Sequence, residues 1–197
     1  MDTPTLIAVI ALVVVVLLLV ALGLAAARKR RSAALREEFG PEYDRALDDT
    51  GKRRDAEKDL AARKDEHDQL ELRPLTPAAR ERYTASWTAA QARFVDAPAQ
   101  ALNEADALVT QLMAERGYPT DDFDSRTRLL SVEHAHVLDD YRSAHEVELA
   151  SRARTADTES VRNAMLDFRR VFEDLMTVDE GEPYPQETTE TRARSER

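Results

Sequence analysis

An all-α chain with one apolar helix at its N-terminal end is what the sequence predicts, on three observations. Residues Thr5 to Ala27 are 23 consecutive positions without a charge. No later stretch alternates apolar and polar residues with the period of a strand. Helix punctuation recurs along the second half, at Thr76-Pro77, Asp96 with Pro98, Gly117-Tyr118-Pro119, Asp121-Asp122 and Asp157-Thr158. The expected architecture is a single transmembrane helix (5–27), a charged juxtamembrane helical spacer (28–73), a bundle of about four or five helices (74–176) and a disordered acidic tail (177–197).

The apolar run centres on Val13 to Val20. As a helix, 5–27 extends about 34 Å at roughly 1.5 Å per residue, enough for a hydrocarbon layer of about 30 Å. Its valines do not make it a strand, because a lone strand in lipid would leave every backbone polar group unpaired. The alternative is a cleaved secretory signal, with Ala25-Ala26-Ala27 imitating a cleavage site. Such signals carry a basic leading region and a shorter apolar core, and only Met1 and Asp2 lead here, with no basic side chain. Arg28, Lys29, Arg30 and Arg31 follow the run directly. The positive-inside tendency then places the N-terminus outside and residues 28–197 in the cytoplasm. The same cations gain about 1 kcal/mol each beside anionic headgroups.

The spacer holds 13 basic and 13 acidic residues and few large apolar ones. Leu35, Phe39 and Tyr43 fall at four-residue spacing, with Gly40-Pro41 expected to kink the helix between them. Asp55 to Leu72 reads as a helix with charge pairs such as Asp59–Arg63 at i,i+4. Apolar residues do not fill the a and d positions of successive heptads, so a solvated spacer is favoured over a coiled-coil dimer.

In the bundle, Thr76 and Pro77 start a helix that presents Tyr83, Trp87, Ala90 and Phe94 on one face. Asp96 reads as the cap of a second, carrying Ala101, Ala105, Leu108 and Leu112, and Gly117 stops it. A short helix follows from Asp122 to Leu130. Ser131 and Glu133 resemble the start of another, with His134, Leu138, Tyr141, His145 and Leu149 along one side. The last, capped by Asp157 or Thr158, has an apolar face of Val161, Met165, Phe168, Phe172 and Leu175, spaced 4, 3, 4 and 3. That face serves either its own core or a second copy of the chain, making a homo-oligomer a partner to consider.

Composition removes several chemistries. The 197 residues include no Cys, which excludes disulfides, thiol nucleophiles and cysteine zinc sites. Glycines at 23, 40, 51, 117 and 181 stand too far apart for a phosphate-binding loop. With 28 Lys+Arg against 38 Asp+Glu, the net charge of −10 argues against nucleic acid as a partner. His134 and His145 stand roughly 16 Å apart along a helix, too far to share an ion, and His134 and His136 would diverge on one. Asp121-Asp122-x-Asp124 begins like a calcium loop, but the sixth position from Asp122 is Thr127 and not glycine. No catalytic, cofactor-binding or metal-ligating residue is therefore expected, and the chain is read as a non-enzyme without a cofactor. The aromatic set from Tyr83 to Phe172 reads as core in preference to a ligand pocket. Thr188, Thr189, Thr191 and Ser195 could accept phosphate, although an inert solubilising tail is the favoured reading.

Several short runs together carry a resemblance: Phe39-Gly40-Pro41-Glu42-Tyr43, Arg73-Pro74-Leu75, Ala79-Arg80-Glu81-Arg82-Tyr83, Gln91-Ala92-Arg93-Phe94-Val95-Asp96, Arg116-Gly117-Tyr118-Pro119 and Tyr141-Arg142-x-Ala144-His145. With the basic-flanked apolar helix, they make residues 5–176 resemble a family of small actinobacterial membrane or secreted proteins without an assigned activity. The resemblance implies no cofactor and no catalytic residue. The expected function is that of a membrane-anchored interaction or scaffold module with the bilayer and another protein as partners. The alternatives are a cell-envelope structural or stress protein with its domain outside, and a small-ligand-binding or enzymatic helical domain.

Overall fold

The computed structural model describes residues 3–177, with side chains described for residue 12 and residues 15–177. Every regular element among the described residues is helical: α1 (Thr3–Phe39), α2 (Pro41–Thr50), α3 (Arg53–His67), α4 (Pro77–Arg93), α5 (Pro98–Arg116), α6 (Phe123–Glu133), a 3-10 turn (Ala135–Val137), α7 (Leu138–Arg152) and α8 (Thr158–Thr177). The chain divides into two compact units, Met1–Asp65 and Glu66–Arg197.

The first unit is built on α1. Its N-terminal part turns Leu12, Val15, Val16, Leu17, Leu18, Leu19, Val20, Leu22 and Leu24 outward. Among the described residues no helix is long and apolar enough to cross a membrane. The predicted span, 5–27, contains residues 5–11, 13 and 14, whose side chains lie outside the described residues. Below Ala27 the helix changes character. Gly40 takes φ 48°, reverses the chain, and sets α2 against the end of α1. Gly51, left-handed at φ 65°, closes α2 by donating to the Leu47 carbonyl, and α3 follows.

The solvated-spacer expectation fails here. Leu35, Phe39, Tyr43, Ala46, Ala56 and Leu60 are buried, with Phe39 and Leu60 fully so. The Asp59–Arg63 pair forms as expected, with Nε to Oδ2 at 2.8 Å. Helix α3 ends at His67, short of the expected Leu72. Leu70 and Leu72 pack on the core of the second unit, so the division between units precedes the expected boundary at 73/74.

In the second unit α8 lies along α7 and α5, and α4 packs on α5. Ala101, Ala105 and Val109 of α5 are buried without exposure, small enough to let neighbouring helices approach. The Thr76 hydroxyl accepts from the Ala79 N–H at 3.0 Å, and the Asp122 carboxylate from the Ser125 N–H at 2.7 Å, both as expected. Asp157 caps α8 by accepting from the Glu159 and Ser160 N–H groups. Gly117 ends α5 at φ 97°: its N–H reaches the Ala114 carbonyl and the Tyr118 N–H the Met113 carbonyl, a Schellman arrangement.

Three local expectations are corrected. The residue before α5 is Ala97, with no side-chain cap; Asp96 falls one place early, because Pro98 fixes the first helical position. Ser131 and Glu133 end α6 and do not begin a helix, since His134 leaves the helical region and α7 starts only after the 3-10 turn. Leu149 is exposed and not part of the α7 core stripe, whose phase is reset by that turn. Of the expected tail, Thr177 is the last residue of α8, and residues 178–197, with their threonines and serine, lie outside the described residues.

Candidate functional site

Two polar assemblies and one groove stand out against the apolar packing. The groove belongs to the first unit and is lined by Arg28, Lys29, Arg31 and Ser32 of α1 and by Arg53, Arg54, Asp55, Glu57 and Lys58 of α3, with Ala25 at its apolar edge. Six cations face two carboxylates in a chain whose overall charge is −10. Glu57 is already committed: Ser32 Oγ, Arg53 Nε and Tyr43 OH donate to its Oε1 at 2.6, 2.7 and 2.9 Å. Burial works to raise the Glu57 pKa, but these hydrogen bonds outweigh it and hold the carboxyl below its ordinary range. Among the described residues Arg28, Lys29, Arg31, Arg54 and Lys58 make no ion pair, so their charge is left to face solvent or a ligand. Arg30 is exposed and does not line the groove.

The first assembly of the second unit lies between α5 and α7. Helical spacing places Asn103 and Asp106 on one face of α5, and His145, Glu148 and Arg152 on the facing side of α7. Glu148 is 1% exposed and Asp106 8%. The His145 ring stacks on Phe123 with centroids 4.0 Å apart and planes at 11°, which fixes its Nδ1 at 3.6 Å from Asp106 Oδ1. One ligand atom from each of Asp106, His145 and Glu148 lies within 4.8 Å of the others. Asn103 Nδ2 donates to Glu148 Oε1 at 3.0 Å, and Arg152 pairs with that same oxygen and, at 3.8 Å, with Asp106 Oδ2. Asp106 Oδ1, His145 Nδ1 and Glu148 Oε2 have no hydrogen-bond partner among the described residues. One turn away, burial pushes the Tyr141 phenol up to about 12.

The second assembly closes the junction between α6 and α8. His134 Nδ1 and His136 Nε2 meet the two oxygens of Asp174 at 2.5 and 2.8 Å. The expected divergence of His134 and His136 holds for a continuous helix, and here the helix breaks at His134, so both rings turn to one carboxylate. Burial would raise the Asp174 pKa, but the hydrogen bond from His134, followed by the charges and hydrogen bond of the two imidazoles, leaves it lowered. Tyr118 OH donates to Glu133 Oε2 at 3.3 Å, and its own pKa is raised chiefly by burial. His134 is thus a structural partner of Asp174, while His145 belongs to the α5–α7 assembly.

Val161, Met165, Phe168, Phe172 and Leu175 are all buried in the core of the second unit, together with Ala164, Val171 and Met176. Neither Asp106 nor Glu148 was a sequence-level candidate. The available signal was the His145-x-x-Glu148 spacing on one helix face, which becomes informative only once α5 is known to lie opposite. No family model, curated protein or solved structure matches the chain.

Proposed function

We propose that the chain is a single-pass membrane-anchored helical protein whose residues 28–197 form a cytoplasmic, non-catalytic interaction or scaffold module. The observation that carries the reading is the outward-turned apolar surface of α1 at Leu12 and from Val15 to Leu24, followed directly by the cationic groove. In water such a contiguous surface costs about 25 cal/mol per Å² of apolar area, a cost that lipid removes. The groove's free cations then fall at headgroup level, where they favour anionic lipid and oppose translocation of the helical units. A protein partner, or a second copy of the chain, would meet charged outer surfaces, because the α8 stripe is occupied by its own core.

Membrane fractionation with paired C-terminal reporters, one active only in the cytoplasm and one only outside, tests this reading. The expected result is membrane-bound protein with cytoplasmic reporter activity and an intact N-terminus by sequencing. Soluble protein, a new N-terminus near Ala27 or reporter activity outside overturns it. The last two outcomes favour the envelope-facing alternative.

A further inference from the structure

We propose that Asp106, His145 and Glu148 form a binding site for one divalent first-row transition-metal ion, bridging α5 and α7. The site takes shape in a helical interface, where an unsatisfied polar atom is costly and demands a partner. Three such atoms belong to one cluster: Asp106 Oδ1, His145 Nδ1 and Glu148 Oε2 have no hydrogen bond among the described residues, and one ligand atom from each of the three residues lies within 4.8 Å of the others. Glu148 is 1% exposed, so its unpartnered oxygen has no solvent to satisfy it.

The geometry suits an ion at ordinary bond lengths. Three ligands each about 2.1 Å from a central ion stand about 3.6 Å apart when evenly spread around it. The His145–Asp106 pair already has that separation, at 3.6 Å. Glu148 closes the remaining distance by turning its carboxylate, while Asn103 stays on Oε1 as an orienting partner. An imidazole with two carboxylates selects a borderline cation such as zinc, iron(II) or cobalt(II), since magnesium and calcium prefer all-oxygen shells. Positions not filled by these three side chains go to water.

Arg152 explains how the site stays folded without metal. Its guanidinium pairs with both carboxylates, yet its side chain is 57% exposed, so it can withdraw into solvent as the ion enters. Arg152 is therefore a competing counter-charge and not a ligand. The ion and the guanidinium compete for the same carboxylates, so removing Arg152 should tighten binding.

The test uses the full chain, purified in detergent without a polyhistidine tag and stripped with chelator. Cobalt(II) serves as the probe, with equilibrium dialysis for stoichiometry and visible absorption for coordination. The expected result is one equivalent per chain with ligand-field bands. Loss of an outer-shell partner weakens metal sites 10- to 100-fold, so D106N and E148Q should each weaken binding by more than about 100-fold. R152A should strengthen it. Circular dichroism checks the fold of each variant. D106N, a second near-isosteric variant at the site, keeps the test decisive if E148Q unfolds. Absence of bound cobalt, or binding that survives in folded D106N, overturns the proposal. The readout does not involve the membrane and is independent of the anchoring proposed above.

Discussion

Trp87 of α4 and Phe172 of α8 stack with ring centroids 4.7 Å apart and planes at 14°, both side chains buried. This contact joins the flanking helix to the last helix, and Trp87 is the only tryptophan in the chain. Tryptophan emission, excited selectively over tyrosine, therefore comes from the second unit alone. Phe172→Ala should destabilise that unit by about 3–5 kcal/mol through lost burial and an unfilled cavity. Urea unfolding followed by fluorescence measures it; a loss below about 1 kcal/mol would mean the stacking does not organise the core.

Gly117 and Gly51 both adopt left-handed backbone, but their surroundings differ. A Cβ at Gly117 would lie 2.5 Å from the Glu71 carbonyl oxygen, whereas one at Gly51 meets nothing within 4 Å. The chain passes tightly here, the Arg73 N–H donating to the Arg116 carbonyl at 2.9 Å. Gly51→Ala should cost about 1–2 kcal/mol from backbone strain alone. Gly117→Ala should cost more, because the neighbouring backbone must also move. Thermal melts of the two variants compare them, and equal losses would refute the clash.

Asp174 makes stability depend on acid. Its carboxyl pKa is lower in the folded chain than its ordinary value, so the unfolded state binds the proton more readily. The contribution is complete above about pH 3.9, the ordinary value, and disappears as pH falls through the lower folded value. Asp174→Asn should weaken the second unit at pH 7 and flatten its stability loss as pH falls below about 4. Chemical denaturation across that range decides; a variant with the parent's slope would assign the acid sensitivity elsewhere.

Glu57 plays the comparable part in the first unit, where one oxygen gathers three donors. Tyr43→Phe removes one of them and should cost about 0.5–1.5 kcal/mol. Glu57→Ala strips partners from all three and should cost more, without altering Trp87 fluorescence. Amide hydrogen exchange over residues 32–65 measures both, and a larger loss in Tyr43→Phe than in Glu57→Ala would contradict the network as drawn.

The elements most legible in the sequence are those set by local rules. Thr76, Asp122 and Asp157 cap as their side chains dictate, Gly117 stops α5, and the 4-3-4-3 spacing of α8 marks its buried face. What local rules missed depends on distant chain. Leu35 and Phe39 look sparse among charges, yet they are buried, as are Ala56 and Leu60 some twenty residues further on. His134 and Asp174 are forty residues apart in sequence and meet only because α6 ends where α8 passes. Asp106 and Glu148 likewise carried no signal of their own, since an acid on an acidic helical chain is background until its neighbour across the interface is known.

The buried Arg116 guanidinium donates to the Leu175 carbonyl at 2.8 Å, tying the end of α5 to the end of α8 across 59 residues. Phe168, Phe172 and Leu175 enter the core from the same late segment. During synthesis the first unit emerges early and needs only nearby chain to close, whereas α4 to α7 must wait with an open seam until α8 has been made. For that interval the nascent second unit exposes the apolar surface that α8 later covers.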